Sequence, residues 1–183
     1  MWDKRWGTGR VVPQYDEEST GAGGVAAVAH GVHAEAGIGT EASNGNVQIA
    51  CRGSLIPTVT LVGRPGHSGM SQPHWREGGA VNAIEKASVA SDAPRRFEAD
   101  WRQRESNRHP YLAPGDVVLT LIEGGEWVVS YPSSCRLQYH VAYLPAHADA
   151  SGWGTAVEEE IAEWISRAAQ SDPWLAEHPP TIE

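Results

Sequence analysis

Residues 63–82, GRPGHSGMSQPHWREGGAVN, decide how this chain is read. They follow the run Thr58-Val59-Thr60-Leu61-Val62 and close on AVNAIEKA, which has the composition of a helix start. β-Branched residues favour a strand, and glycine and proline punctuate what comes next. Strand, glycine-rich turn, histidine, loop and helix is how a binding residue is mounted on a rigid frame. His67 lies between Gly66 and Ser68, where no apolar periodicity draws it toward a core. Spacing alone leaves two readings open, a solvated loop histidine or a binding group.

Toward the N-terminus, residues 11–15 are short and apolar enough for a strand and run into Asp16-Glu17-Glu18. Three acids at a strand end repel one another unless something positive is near, and a metal ion supplies that. A solvated acidic turn is the alternative, as are acids in the first turn of a helix, where the macrodipole favours them. Residues 24–30 read as a short helix ending at Gly31, and residues 36–40 as a second strand ending at Glu41. Two strands joined by a helix, each ending in acid, form a βαβ-like unit with acids at the carboxyl ends, where ligands collect in α/β sheets. Residues 47–52 and 55–62 read as two further strands.

Toward the C-terminus, residues 80–104 have helical periodicity, with Val81, Ile84, Ala87, Phe97 and Trp101 roughly on one face. Pro94 predicts a kink or break there, with Asp92 as a cap for a second segment. Residues 107–115 form a polar loop, residues 117–123 a strand, Gly124-Gly125 a turn and residues 127–131 a second short strand. Residues 136–144 alternate cleanly, with Leu137, Tyr139, Val141 and Tyr143 on one face. Thr155 with Glu158 has the spacing of a capping box. Val157, Ile161, Trp164, Ile165 and Ala168 follow at helical spacing until Asp172-Pro173, and residues 179–182 begin a last strand. From Leu55 the order is strand, helix, strand, strand, helix, strand, the ferredoxin-like split βαβ arrangement. The fold class is therefore α/β (α+β).

With 40% hydrophobic and 20% charged residues among 183, the composition is that of a globular chain rather than a disordered one. No apolar run approaches the ~18–20 residues that span a membrane. The segment MWDKRWGTGR is basic but has no apolar core, so it does not read as a signal peptide. Cys51 and Cys135 are far apart and fit reduced thiols in the cytoplasm. A net charge of −9 argues against a nucleic-acid partner. Arg95, Arg96, Arg102, Arg104 and Arg108 are interleaved with Glu98, Asp100 and Glu105, as on a solvated helix face. Trp127, Trp153 and Trp174 lie near Gly or Pro, as loop-packing anchors do.

GRPGHS followed by GGAVNAIEKA resembles the lid segment of the acetylornithine deacetylase / succinyl-diaminopimelate desuccinylase family, amidohydrolases and peptidases that use two zinc ions. Gly63, Arg64, His67, Ser68, Gly79, Asn82, Ala83 and Ile84 match the family pattern in order. The resemblance extends upstream to the Glu-Glu pair, the glycine turn and Glu41. It implies that Glu17 is the general base, that Glu18 and Glu41 are carboxylate ligands of Zn2+ (with Co2+ as the other candidate metal), and that His67 reaches a partner's active site to steady a tetrahedral intermediate. His74 is the other candidate for that role, but it falls after the motif. The family's Arg-Gly at the exit from the catalytic domain matches Arg52-Gly53. Residues 1–52 then form part of a catalytic domain, and residues 53–183 form a ferredoxin-like βαββαβ lid that makes a homodimer.

The match covers the middle of a family member. No His-x-Asp precedes Asp16 and nothing follows the lid, so the resemblance implies an incomplete, inactive piece of a deacylase. Val129 stands where the family has Asn, and Ala142 where it has Arg, which weakens any assignment to a particular N-acyl amino acid or small peptide. The competing expectation is a non-catalytic dimerisation or binding module built on the lid fold.

Overall fold

Cys135, Leu137, Tyr139, Val141 and Tyr143 alternate along one strand, and the sheet is assembled around it. The computed structural model describes residues 9–18 and 20–183, which fall into two units, 1–47 and 48–183. In the second unit, β1 (Gly53–Leu55) and β2 (Thr58–Val62) both run antiparallel to β4 (Ser134–Tyr143). β3 (Asp116–Gly124) is also antiparallel to β4, and β5 (Thr181–Ile182) pairs with β2. With α2 (Ala83–Trp101) after β2 and α3 (Thr155–Ala169) after β4, this is the expected ferredoxin-like order. A short α4 (Pro173–Glu177) precedes β5.

The expected strand over residues 55–62 is divided at Ile56-Pro57. Proline has no amide hydrogen to give to a ladder, and only its carbonyl is used, accepting from Tyr139 at 3.0 Å. The β4 side chains named above are at most 4% exposed and share one apolar cluster with Phe97 and Trp101 of α2 and Val157, Ile161 and Ile165 of α3. Each large side chain in such a cluster contributes about 1.5–3 kcal/mol. β3 meets β4 with a register shift between Leu119 and Leu121, where the Thr120 hydroxyl donates to the Gln138 carbonyl at 3.1 Å.

Several local expectations are corrected. α2 continues through Pro94 without a break, because Ala90, Ala93, Pro94 and Phe97 are all buried and that packing outweighs one missing hydrogen bond. Asp92 caps nothing. It binds Arg95 and Arg96, whose hydrogen bonds hold its carboxyl below the usual range. Thr155 forms no capping box; Gly154 is the N-cap, and the Thr155 hydroxyl donates to Asp149 at 2.8 Å. Residues 127–131 are not a strand, and only Ser130 bridges, to His67.

The first unit carries α1 (Ala22–Ala29), close to the expected helix. Residues 11–15, 36–40 and 47–52 are not strands, so the expected βαβ unit is not present among the described residues. Val11, Ile38 and Val47 are 93%, 94% and 87% exposed. A lone strand leaves both its backbone groups and its apolar face in water, and no neighbour among the described residues offers a ladder. No helix among the described residues is long and apolar enough to cross a membrane.

His147 packs against the Trp101 ring at 5.1 Å, and its Nδ1 accepts from the Leu144 amide at 3.3 Å. Burial, and then the neighbouring Arg104, push this imidazole below its ordinary value. A histidine depressed in the folded state confers stability that is complete above the unfolded value of about 6.5 and is lost as pH falls through the folded value. The urea midpoint of the wild-type chain therefore drops between pH 7.5 and pH 5.5 by more than that of His147→Leu.

Candidate functional site

The ladder of β2 does not stop at Val62. The Gly63 amide donates to Ser133 at 2.7 Å, and Arg64 and Val81 exchange two hydrogen bonds at 2.9 Å each. The Tyr131 amide then donates to Gly66 and the Ser68 amide to Val129, both at 2.8 Å. Residues 63–68 thus run as a strap between residues 79–83 and 129–133. Only glycine fits at the entrance, since a Cβ on Gly63 falls 2.3 Å from the Val81 carbonyl oxygen and 2.7 Å from that of Pro132.

At the end of the strap His67 opens a turn, with the Met70 amide donating to its carbonyl at 3.1 Å. The Gly69 amide donates to its ring Nδ1 at 3.0 Å. An amide N–H can only donate, so in the neutral ring Nδ1 is the acceptor and the proton is on Nε2. His67 is exposed, and among the described residues nothing bonds Nε2. This imidazole presents one oriented N–H to whatever approaches the turn.

His74, the other candidate, is occupied in local structure. Its Nδ1 accepts from the Arg76 amide at 3.2 Å, and its ring lies 5.4 Å from Trp75. Arg64 is structural as well. Its guanidinium donates to the carbonyls of Trp75 at 2.5 Å and Gly79 at 3.2 Å, and sits 5.2 Å from the Trp174 ring centroid. Asn82 caps α2, its Oδ1 accepting from the Ile84 amide at 2.9 Å.

Sequence reasoning gave Trp174 only a general packing role, and it turns out to anchor the strap's origin. The buried indole donates to the Val62 carbonyl at 2.8 Å, stacks on His178 at 3.7 Å and meets Trp75 edge-on at 5.5 Å. Asp172 caps α4 and binds Lys86 at 2.7 Å. Burial raises the Asp172 carboxyl, but the Lys86 hydrogen bond and the α4 amides outweigh it and leave it below the usual range. These contacts span about a hundred residues, and the sequence showed Asp172-Pro173 only as the stop of the preceding helix.

The acidic candidates lie in the first unit. Glu17 and Glu18 are exposed in a turn whose Asp16 carbonyl accepts from the Thr20 and Gly21 amides at 3.2 and 2.8 Å. Glu41 is exposed in a loop. No group of three or more His, Cys, Asp or Glu side chains among the described residues is placed to hold a metal. At the two positions that depart from the resemblance, the Val129 carbonyl takes the Ser68 amide, while Ala142 is buried between Ser54 and Asp116. Arg52 binds that Asp116 at 3.1 Å.

No protein-family model matches the chain. A curated relative, the N-formyl-4-amino-5-aminomethyl-2-methylpyrimidine deformylase of Halalkalibacterium halodurans, is 27% identical over 104 residues, 56% of this chain and 23% of that protein. Among solved structures, a hydantoinase/carbamoylase family amidase from Burkholderia ambifaria superposes with a TM-score of 0.48 at 14% identity, over 74% of this chain and 28% of that one. Aminopeptidase PepT from Bacillus cereus does so with a TM-score of 0.44 at 13% identity, over 74% and 29%. The chain spans about a quarter of the length of these proteins. Its fold assignment rests on its own strand order and register.

Replacing Trp174 by Phe keeps the ring but strands the Val62 carbonyl. The expected cost is about 1–3 kcal/mol, read as a lower urea midpoint with an unchanged slope.

Proposed function

We propose that this chain carries the lid, residues 53–183, and part of the catalytic domain, residues 1–52, of a hydrolase that cleaves the amide bond of an N-acyl amino acid or small peptide. The observation that carries the reading is the His67 turn, with an exposed imidazole whose Nδ1 is held by its own backbone and whose Nε2–H is left to donate. Such a donor suits an amide carbonyl oxygen as it gains charge in a tetrahedral intermediate. The curated relative supports the same bond class, since a deformylase cleaves a formyl–nitrogen bond.

In this reading His67 steadies the oxyanion, and Glu17 carries the proton from the attacking water to the leaving nitrogen. Glu18 and Glu41 are the proposed metal ligands, for zinc or cobalt. A catalytic zinc keeps three protein ligands, so these two carboxylates do not make a site by themselves.

The proposed partner is a second copy of the chain. In the described residues β3 pairs only with β4, which leaves its other edge open. Val118 and Ile122 are 48% and 60% exposed. A groove of about 550 Å³ between α2 and β3 is bordered by Tyr139, whose hydroxyl is buried without a hydrogen-bond partner and pushed up by that burial. An open, apolar edge strand is a template for pairing. In light scattering the chain is expected at twice its 19.7 kDa mass, and Val118→Lys with Ile122→Lys returns it to a monomer.

The catalytic test puts residues 53–183 in place of the matching segment of the Halalkalibacterium deformylase, whose chain supplies the rest. The chimera is expected to hydrolyse an N-formyl amide, and His67→Ala to lower kcat about 10²–10³-fold with little change in KM. A His67→Ala chimera as fast as its parent supports instead the reading as a non-catalytic binding module, which the exposed, unclustered acids favour.

A further inference from the structure

Gln72 lies five residues beyond His67, in a stretch with no regular structure of its own. Its side-chain Nε2 donates to the His67 carbonyl at 3.1 Å and to the Met70 carbonyl at 3.2 Å. Its Oε1 accepts from the Ala80 amide at 3.2 Å. The orientation of the amide is fixed by its partners, because a backbone N–H must face the oxygen and two carbonyls must face the nitrogen. One side chain therefore ties both ends of the turn that carries His67 to residue 80, next to Val81, which is paired with Arg64 in the strap.

The glycine before the histidine fits the same purpose. A Cβ on Gly66 falls 3.2 Å from Gln72 Oε1 and 2.5 Å from the Ala80 Cβ. Its space is used by the Gln72 amide and the chain that the amide holds. From Ala80 through Gln72 to the 67–70 turn, and from the Gly69 amide to Nδ1, each link is a hydrogen bond of 3.0–3.2 Å.

We propose that Gln72 is the positioning residue that holds the His67 turn closed and so sets the direction of the Nε2–H. This rests on the reading of His67 as the oxyanion donor. Gln72 itself touches no substrate. It acts through two carbonyls of the turn, and preorganised donors are effective only while their direction is maintained.

The test uses the whole chain, labelled with 15N, and compares wild type with Gln72→Ala and Gln72→Glu. The glutamate variant keeps the volume and the acceptor but, ionised, has no hydrogen to donate. The expected result is that the Gly69 amide exchanges about 10-fold faster or more in both variants, while the global urea midpoint moves little. At a pH where the ring is neutral, the two imidazole 15N resonances of His67 are expected to be widely split in wild type and to draw together in both variants. Unchanged Gly69 exchange and imidazole shifts in both variants overturn the proposal. Wild-type behaviour in Gln72→Glu alone also overturns it, because volume rather than donation then holds the turn. These readouts need no activity. Loss of the oxyanion role for His67, read in the chimera, is thereby distinguishable from failure of the Gln72 assignment.

Discussion

β4 is hydrogen-bonded along both edges, and the rest of the second unit depends on that. One edge takes β1 and β2 in succession, from Gly53 opposite Tyr143 to Val62 opposite Ser134, and the other takes β3. A ten-residue strand with period-two burial can have only one register on each side, since a slip of one residue moves every apolar side chain to the wrong face. The covered face is fixed by Leu137, Tyr139 and Val141, and the opposite face shows what remains. There Arg136 pairs with Glu123 at 2.8 Å and Gln138 reaches Thr58 at 3.4 Å. α2 and α3 are then held to one side, and Arg104, three residues beyond the end of α2, binds Glu160 of α3 at 2.6 Å.

The site follows from the same ladder. Because β2 is registered against β4 up to Ser134, the chain beyond Val62 must leave the sheet beside residues 131–133, and the strap through His67 is the continuation of that pairing. Trp174 fastens the departure point at the Val62 carbonyl, and Arg64 fastens the loop of residues 75–79 over it. The histidine is thus carried by backbone that is bonded on two sides, although it is formally in a loop. That is why its ring can be held by a single amide rather than by a neighbouring carboxylate.

Legibility in the sequence tracked how local the cause was. The alternation over residues 136–144 and the helical spacing from Val157 to Ala168 were readable because one element and one buried face explain them. The His67 turn was readable as a mounted histidine because glycine, proline and a helix start punctuate it. What failed was whatever needed a partner. Residues 11–15, 36–40 and 47–52 have strand composition but no neighbour to pair with among the described residues, and composition carries no information about neighbours. Thr155 has the spacing of a capping box, yet its hydroxyl bonds Asp149 instead. Pro94 carries the signal of a helix break, yet the buried face around it continues. Gln72 carried no signal at all, since its three bonds exist only once residues 67, 70 and 80 have been brought together.

The two sets of proposed site residues reach their working geometry by different routes. The His67 donor is set by hydrogen bonds within its own unit and needs nothing further to point. Glu17, Glu18 and Glu41 have no such support. Like charges at 4 Å repel by about 1 kcal/mol in water and by several times that where water is thinned out, so three carboxylates without a cation are most stable apart and hydrated. Their exposure in this chain is what electrostatics alone dictates. Convergence requires a counter-charge, and a divalent cation that binds only the converged form stabilises it in proportion to the logarithm of its concentration over its dissociation constant. Under the proposed reading, the histidine is therefore positioned by folding alone, and the acids only by a bound cation.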